Sequence, residues 1–390
     1  MRGKDVVVMT GGGSGGHLTP IVSVAEELKK LHPSTKIVYI GQKGDSLGDF
    51  MKNHPIFNEV HVVRAGKLRR YHGEGLKQLL DLPTVAKNLR DMVLTLIGFF
   101  QSLVLLRRLQ PRALFCKGGF VSVPVGLSAA LLRIPYITHD SDVLPGLANR
   151  IIARWARIHA VGLPKELYRY PQHKTIHVGV PINQKQYKPV TKESSLVARA
   201  ALNIPRGAKV LLVTGGGNGA LRLNRAVTEG AKQLFALVPD LYILHQAGRK
   251  DEEKTRQDYA QQLSSEQSER VQAFGFTEVM AQMSAAADVI VTRAGATNMA
   301  EYAQQGKAVI IVPNPQLTGG HQLKNASVYY KAEAAIVLLE DDLGTLPKAA
   351  AALLNDPKRQ AQLGEHLRAF AMPKAAEHLA QLIVTMVEGH

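Results

Sequence analysis

The 390-residue sequence contains very little cysteine and few aromatic residues. Cys116 is the only cysteine, which excludes an internal disulfide and a cysteine cluster for zinc or iron–sulfur binding. This cysteine usage fits a reducing compartment. Aromatic residues make up only 6% of the chain, and no recognised nucleic-acid module is present. A nucleic-acid-binding protein is therefore a weak alternative.

Long uninterrupted apolar runs are also missing. The apolar run Val6–Met9 is too short for a signal peptide and leads straight into glycines. The most apolar later stretch, Met92–Leu106, is interrupted by Gln101 and Ser102. A transmembrane helix needs about 20 predominantly apolar residues. We therefore predict neither a secretion signal nor a transmembrane helix.

Acidic residues are scarce in the first half of the chain. Residues 1–183 hold 25 lysines and arginines against 12 acidic residues, a balance of +13, whereas residues 184–390 have a balance of +3. A basic half-molecule indicates an anionic partner, such as nucleic acid, anionic lipid or a phosphorylated substrate. The simpler alternative is that the charge serves solubility alone.

Short β-branched runs, glycine loops and helical patterns alternate along the chain. This alternation predicts an α/β protein with parallel sheets covered on both faces. The pattern restarts near residue 209, so we predict two domains, 1–180 and 209–370, with a linker over 181–208. The last helix, 371–390, is expected either to stay with the second domain or to cross back to the first. The predicted strands are Val6–Met9, Lys36–Ile40, Ala113–Cys116, Pro135–His139, Val210–Val213, Leu241–His245, Val271–Phe274, Val289–Val291 and Ala308–Val312.

Three glycine-rich loops follow predicted strands and precede predicted helices. They are Gly11–His17, Lys117–Phe120 and Gly215–Ala220. Glycine lets the backbone approach a phosphate, and a helix N-terminus supplies free N–H groups and a positive dipole end. No Gly-Lys-Ser/Thr follows the first loop at the spacing of a Walker motif. The acidic residue that a dinucleotide-binding domain has at the end of its second strand is also missing, because Gly41-Gln42 stands there. The loops therefore predict phosphate ligands in a cleft, but neither an ATPase nor a NAD enzyme.

The motifs at these loops and in the second half resemble those of the MurG family, the bacterial lipid-linked N-acetylglucosaminyltransferases of peptidoglycan synthesis. The matches keep their order from residue 5 to about residue 340. They are Gly12–His17 with Pro20, Gly118–Pro124, His139–Asp142 with Gly146 and Asn149, Gly215–Ala220 with Leu223-Asn224, Arg293–Thr297 with Glu301, and His321-Gln322 with Asn325-Ala326.

The resemblance implies a GT-B fold, two Rossmann-like domains with parallel sheets facing a central cleft. It implies inverting transfer of N-acetylglucosamine from UDP-N-acetylglucosamine to lipid I, giving lipid II, without a cofactor, an obligatory metal or a nucleic-acid partner. It also implies a peripheral protein at the cytoplasmic face of the bacterial cell membrane. Another GT-B enzyme of UDP-sugars, a glycolipid synthase or an epimerase, is the alternative.

The resemblance also implies which residues touch the two substrates. Gly118, Gly119 and Phe120 would bind the acceptor. The implied donor contacts are Ser14, Gly15, Gly16, Asp142, Asn183, Gly217, Asn218, Thr277, Ala296, Thr297, Glu301 and Gln322. The sequence departs from the family pattern at Phe120, Asp142, Asn183 and Gly217, and in a lengthened segment from Pro313 to Gly320.

An inverting transfer needs a base that deprotonates the acceptor hydroxyl. It also needs positively polarised groups, such as helix N-termini, that stabilise the charge of the leaving diphosphate. His17 is the first candidate base, and Asp140 and Asp142 are its rivals; each could instead cap a helix or contact a ligand. The helix starts at Gly215–Ala220 and Ala296-Thr297 are assigned to the diphosphate. Glu301 is assigned to the ribose hydroxyls, and Gln322 to the donor sugar.

A basic segment precedes the apolar run Val93–Phe100 and suits an anionic bilayer surface. Its residues are Lys67–His72, Lys77, Lys87 and Arg90. The alternative is that this run forms an ordinary core helix with a solvated basic face.

Overall fold

A computed structural model describes residues 5–12, 15–44, 48–67, 82–216, 219–315 and 320–389 of the chain. The chain forms two compact units. The first comprises Met1–Asn183 together with Met372–His390, and the second comprises Gln184–Ala371.

The first unit is built on a sheet of seven strands, all pairing in parallel. The strands are β1 (Val6–Thr10), β2 (Lys36–Gln42), β3 (Glu59–Val63), β4 (Ala113–Cys116), β5 (Tyr136–Asp140), β6 (Ile158–Val161) and β7 (Thr175–His177). Their order in the sheet is β3-β2-β1-β4-β5-β6-β7. The order reverses between β1 and β4, where open α/β sheets bind their ligands.

Helices cover this sheet on both faces and bury its apolar side chains. They are α1 (Gly15–Leu31), α2 (Gly48–Asn53), α3 (Leu82–Leu109), α4 (Ser122–Leu131), α5 (Leu147–Ile152) and the C-terminal α16 (Ala375–Glu388). Ile21, Val24 and Leu28 recur at helical spacing on α1 and are buried in one cluster with Leu379 and Ile383 of α16. The last helix therefore completes the core of the first unit.

Helix α3 is longer than its apolar stretch suggested. It spans 28 residues, and Thr84–Leu109 is long and apolar enough to cross a membrane by length and composition, with 28% of its most apolar window buried. Two polar residues interrupt the apolar stretch. Gln101 Oε1 accepts a hydrogen bond from Arg64 N elsewhere in the first unit, and Ser102 is buried. The expectation that this stretch is too short for a spanning helix was wrong, since the helix extends ten residues before Met92.

The second unit contains a parallel sheet of six strands. They are β8 (Lys209–Thr214), β9 (Leu241–Gln246), β10 (Val271–Phe274), β11 (Val289–Thr292), β12 (Ala308–Ile311) and β13 (Ile336–Val337). Their order is β10-β9-β8-β11-β12-β13, with the reversal between β8 and β11.

Ten α-helices accompany this sheet in the described residues. They are α6 (Lys192–Ala201), α7 (Leu221–Glu229), α8 (Ala231–Leu237), α9 (Glu252–Gln262), α10 (Ser265–Ser268), α11 (Met280–Ala286), α12 (Ala296–Gln305), α13 (His321–Lys331), α14 (Leu346–Leu354) and α15 (Pro357–Arg368). A 3₁₀ helix, Glu340–Thr345, precedes α14.

The segment predicted as a linker contains a packed helix. Helix α6 contacts α11, and the Arg199 guanidinium donates to Asp288 Oδ1 across 2.7 Å and to the Ala286 carbonyl. These bonds hold residues 192–201 within the second unit. Helices α7 and α8 meet at Gly230, where a Cβ would lie 2.3 Å from Pro347 Cγ. Four short strands, β3, β6, β7 and β13, were not predicted.

Candidate active site

In the first unit the loops after β1 and β4 touch. A Cβ at Gly119 would lie 2.4 Å from the Gly12 carbonyl oxygen, and Gly119 has a φ of +83°. Only glycine accommodates both constraints without strain. The structure therefore brings the first two predicted glycine loops together at the carboxyl edge of adjacent strands, although the acceptor role of Gly118 and Gly119 remains a prediction.

Helix α1 begins at Gly15, so Gly15, Gly16 and His17 form its first turn. The last three residues of the loop predicted as Gly11–His17 are therefore helical. The side chain of His17 and all of Ser14 lie outside the described residues. The roles assigned to these residues remain predictions.

Asp140 is anchored by the protein itself. Its Oδ1 accepts hydrogen bonds from Asn149 Nδ2 at 2.9 Å and Gly146 N at 3.2 Å, while Oδ2 accepts one from the Tyr170 hydroxyl at 2.9 Å. Burial raises the pKa of Asp140, and these hydrogen bonds oppose the rise. These three hydrogen bonds fix the loop after β5, and the role of Asp140 as a base remains a prediction. Asp142 is half-buried in that loop.

Lys117 is a charged residue of this edge to which the sequence assigned no role. It is 3% exposed, and its Nζ donates to Ser141 Oγ across 3.0 Å. Burial lowers the pKa of Lys117 to about 8, against the opposing charges of Asp140 and Asp142. The signal in the sequence was a lysine placed directly between a buried strand and two glycines.

Phe120, the third predicted acceptor residue, is half-buried beyond these glycines. The Lys67 ammonium lies 5.7 Å from the centroid of its ring, which is within the range of a cation–π interaction. This contact places one residue of the predicted basic segment beside the second glycine loop. Residues 68–72 and Lys77 lie outside the described residues.

In the second unit, two helices start from the ends of the adjacent strands β8 and β11. Helix α7 begins at Leu221 after the third glycine loop, and α12 begins at Ala296 with Thr297 in its first turn. Their N-termini supply unpaired N–H groups and positive dipole ends, as the diphosphate assignment requires. Gly217 and Asn218 of the loop lie outside the described residues.

A buried polar network supports the loop before α7. Asn224 Nδ2 donates to the Ala247 carbonyl at 2.9 Å, and Asn224 Oδ1 lies 3.1 Å from His245 Nε2. The Asn224 oxygen can only accept, so His245 Nε2 carries the proton and Nδ1 accepts from the Tyr259 hydroxyl at 2.9 Å. Burial lowers the pKa of His245 to about 3, which keeps its ring neutral.

Glu301 lies in the middle of α12, and the Tyr187 hydroxyl donates a hydrogen bond to its carboxyl. Burial raises the pKa of Glu301 to about 8, and this hydrogen bond opposes the rise. Tyr187 is itself buried. The sequence assigned no role to Tyr187, because the segment that carries it has no clear periodicity.

Three other predicted donor residues belong to separate segments of the chain. Gln322 is buried at the start of α13, and its Oε1 accepts a hydrogen bond from Asn314 N at 2.8 Å, which joins the start of α13 to Asn314. Thr277 follows the edge strand β10, and its hydroxyl accepts from Val279 N. Asn183 ends the first of the two chain segments that form the first unit. Donor contacts by these three residues remain predictions.

Metal ligands do not cluster in the described part of the chain. Residues 5–12, 15–44, 48–67, 82–216, 219–315 and 320–389 contain no group of three histidine, cysteine or acidic side chains that could hold a metal ion.

Two family models cover most of the sequence. Residues 7–161 match the N-terminal domain of glycosyltransferase family 28, and residues 210–379 match its C-terminal domain. Relatives named UDP-N-acetylglucosamine--N-acetylmuramyl-(pentapeptide) pyrophosphoryl-undecaprenol N-acetylglucosamine transferase are similar over nearly their whole length. The protein from Desulforudis audaxviator is 32% identical over 97% of both chains, and that from Geotalea daltonii is 31% identical over 98% of this chain and 97% of its own.

Solved structures share the fold. The crystal structure of Acinetobacter baumannii MurG matches with a TM-score of 0.71 at 23% identity, covering 98% of this chain and 99% of that one. A UDP-N-acetylglucosamine 2-epimerase matches with a TM-score of 0.67 at 12% identity, over 100% and 98% of the chains. The fold alone therefore does not separate transferases from epimerases, but the sequence does: the chain belongs to glycosyltransferase family 28.

Proposed function

We propose that this protein transfers N-acetylglucosamine from UDP-N-acetylglucosamine to lipid I, the undecaprenyl-pyrophosphate-linked muramyl pentapeptide, and so forms lipid II. The observation that carries the proposal is the 32% identity over 97% of the chain to a transferase named for this donor and acceptor. The reaction is a single displacement with inversion: an acceptor hydroxyl attacks the anomeric carbon, the bond to the UDP oxygen breaks, and UDP leaves.

The second unit is suited to the donor. The starts of α7 and α12 lie at the ends of adjacent strands, where their N–H groups can hold the leaving diphosphate. Glu301 lies within α12, one and a half turns after Ala296, and its carboxylate can accept hydrogen bonds from both ribose hydroxyls. Burial raises the pKa of Glu301 to about 8, and hydrogen bonds from the ribose hydroxyls would favour its ionised form.

The first unit is suited to the acceptor. Its touching glycine loops lie at the sheet's carboxyl edge, and Lys117 supplies a cation in the second loop. His17, in the first turn of α1, is our candidate for the base that deprotonates the acceptor hydroxyl. Asp140 and Asp142 are its rivals, and Asp140 is the one whose carboxylate is already held by three hydrogen bonds from this chain.

An activity assay tests the proposal directly. Purified protein is incubated with radiolabelled UDP-N-acetylglucosamine, with and without a short-chain analogue of lipid I, and the products are separated. Label appearing in the lipid-linked product only when the analogue is present supports the proposal. If the protein instead epimerises the sugar without an acceptor, or transfers it only to a different lipid acceptor, the proposal would be replaced by one of the other UDP-sugar activities.

We also propose that the first unit docks on an anionic membrane surface through α3. One side of α3 packs on α4, where Ser128 Oγ donates to the Phe99 carbonyl. The other side exposes apolar side chains at helical spacing, namely Val85, Leu89, Met92, Val93, Leu96, Phe100 and Val104. Lys87 and Arg90 are exposed near the start of this apolar face. An apolar face with neighbouring cations matches the chemistry of an anionic bilayer.

Vesicle sedimentation tests this docking. We expect the protein to pellet with vesicles containing phosphatidylglycerol and less with phosphatidylcholine alone. The double variant Leu89→Glu, Leu96→Glu should remain largely in the supernatant, because it places two charges on the apolar face. Val197→Glu is the matched control, since Val197 is 66% exposed on α6 in the second unit. Equal pelleting of all three proteins would refute the docking surface but not the transfer reaction.

A further inference from the structure

Glu340 is a buried acid between two arginines in the second unit. Its side chain is 3% exposed, its Oε1 lies 2.6 Å from Arg293 Nη2, and its Oε2 lies 2.6 Å from Arg222 Nη1. Each carboxylate oxygen therefore pairs with a different guanidinium. Glu340 is the first residue of the 3₁₀ helix that follows β13.

The two arginines lie beside the segments assigned to the diphosphate. Arg222 is the second residue of α7, directly after the third glycine loop. Arg293 is the first residue after β11 and lies three residues before the start of α12. Since β8 and β11 pair side by side, the Glu340 carboxylate joins the two helix starts from one point.

Arg293 extends the connection to a third strand end. Its Nη1 donates to the carbonyl of Val312, the residue after β12, across 3.0 Å. The same loop is held from α13, because Asn325 Nδ2 donates to the Ala294 carbonyl at 3.0 Å. The loop before α12 is thus held by contacts to the residue after β12 and to α13. Its contact with Glu340 connects it to α7, because Glu340 also pairs with Arg222.

This arrangement is poorly explained by stability alone. Burying a carboxylate is costly, and a buried ion pair rarely stabilises a fold more than apolar side chains of the same volume would. The group also leaves one net positive charge at two helix starts, which suits an anion rather than a self-sufficient core. Arg222 keeps 54% of its side chain exposed while it pairs with the buried acid.

We propose that Glu340 is a positioning residue for the donor: it holds the starts of α7 and α12 at the spacing that one diphosphate requires. The inference rests on the proposed function, because it assumes that the diphosphate of a UDP-sugar binds between these starts. It predicts that loss of the bridge weakens binding of the phosphate part of the donor and leaves the nucleoside part unaffected.

The test compares UDP and uridine binding by calorimetry and competition, using the full-length protein and variants shown to be folded by circular dichroism. Glu340→Gln keeps the size of the side chain and removes its charge. We expect it to raise the Kd for UDP about tenfold while changing that for uridine by less than about twofold. Asp341→Asn is the matched control, since Asp341 is the next residue and is exposed. It should leave both affinities unchanged.

A second variant covers the case in which Glu340→Gln does not fold. Glu340→Asp keeps a negative charge beside Arg293, but its shorter side chain cannot reach both guanidiniums, so UDP binding should weaken by an intermediate factor. Unchanged UDP affinity in the folded variants, or an equal loss for UDP and uridine, would overturn the inference. A wild-type protein that does not bind UDP would instead overturn the proposed function, and this inference with it.

Discussion

The Lys117 ammonium donates a 3.0 Å hydrogen bond to the Ser141 hydroxyl and so joins the ends of the paired strands β4 and β5. Burial lowers the pKa of Lys117 to about 8, and the charges of Asp140 and Asp142 limit the fall. Below that pH the side chain is charged, and above it the proton is lost. The second glycine loop therefore contains a cation that titrates close to physiological pH.

Replacing this cation should impair use of the acceptor more than use of the donor. Lys117→Met should lower kcat/KM for the lipid I analogue about 10- to 100-fold, because it removes the cation that we propose attracts the acceptor's pyrophosphate, and Asp140 and Asp142 lose their counter-ion. The KM for UDP-N-acetylglucosamine should change little. Initial rates with each substrate varied in turn measure both. Lys30→Met, an exposed lysine at the end of α1, is the control.

The same group predicts a pH dependence. Because the protonated form is the one that attracts a pyrophosphate, wild-type kcat/KM for the acceptor should fall as the pH rises above 8. The fall should be absent in Lys117→Met. If kcat/KM for the acceptor falls equally above pH 8 in both proteins, the fall is due to the titration of another group.

Glu301 predicts the opposite trend for the donor. Burial raises its pKa to about 8, and ribose hydroxyls donate best to the ionised carboxylate. UDP affinity should therefore rise with pH, by up to about tenfold per unit, and level off above pH 8. Glu301→Gln should bind UDP weakly with no such slope. Calorimetric titrations between pH 6 and 9 measure this, and a flat wild-type profile would remove the ribose assignment.

The contact between the first two glycine loops should be intolerant of a methyl group. Gly119→Ala forces a Cβ to 2.4 Å from the Gly12 carbonyl oxygen at a φ of +83°, which we expect to cost about 1–3 kcal/mol and to lower Tm by roughly 2–12 °C. Transfer activity should fall as well, because the loop must move. Gly146→Ala is the control, since nothing lies within 4 Å of its Cβ position. Equal Tm values for both variants would contradict the geometry.

The candidate base can be tested separately from binding. His17→Ala should reduce kcat by about 10²–10⁴-fold while the Kd for UDP stays nearly constant, because a general base acts on the acceptor hydroxyl and not on the nucleotide. Single-turnover rates and a UDP titration measure the two effects. Ordinary turnover in this variant would transfer the role to Asp140 or Asp142, for which Asp140→Asn and Asp142→Asn are the matching experiments.

The sequence was sufficient for the centre of each sheet and for the class of the fold. Strands such as β1 and β8 are runs of consecutive buried apolar residues, and each leads into glycines, so their pattern is local and visible. Family 28 membership was equally accessible, because its motifs are short and follow one another along the chain. The edge strands β7 and β13, of three and two residues, carried no comparable signal.

The structure alone decided which distant side chains meet. Lys117 and Ser141 are 24 residues apart, and Arg222 and Glu340 are 118 apart, so no local spacing connects them. Burial is likewise a property of the folded chain: it raises the pKa of Glu301 and lowers that of Lys117, although both read as ordinary charged residues in the sequence. The local sequence pattern determines the secondary-structure elements and their order. The pKa values of the site residues and the hydrogen bonds that hold the site loops depend on contacts between distant parts of the chain. These contacts exist only once the parallel strands have brought separate loops to one edge of the sheet.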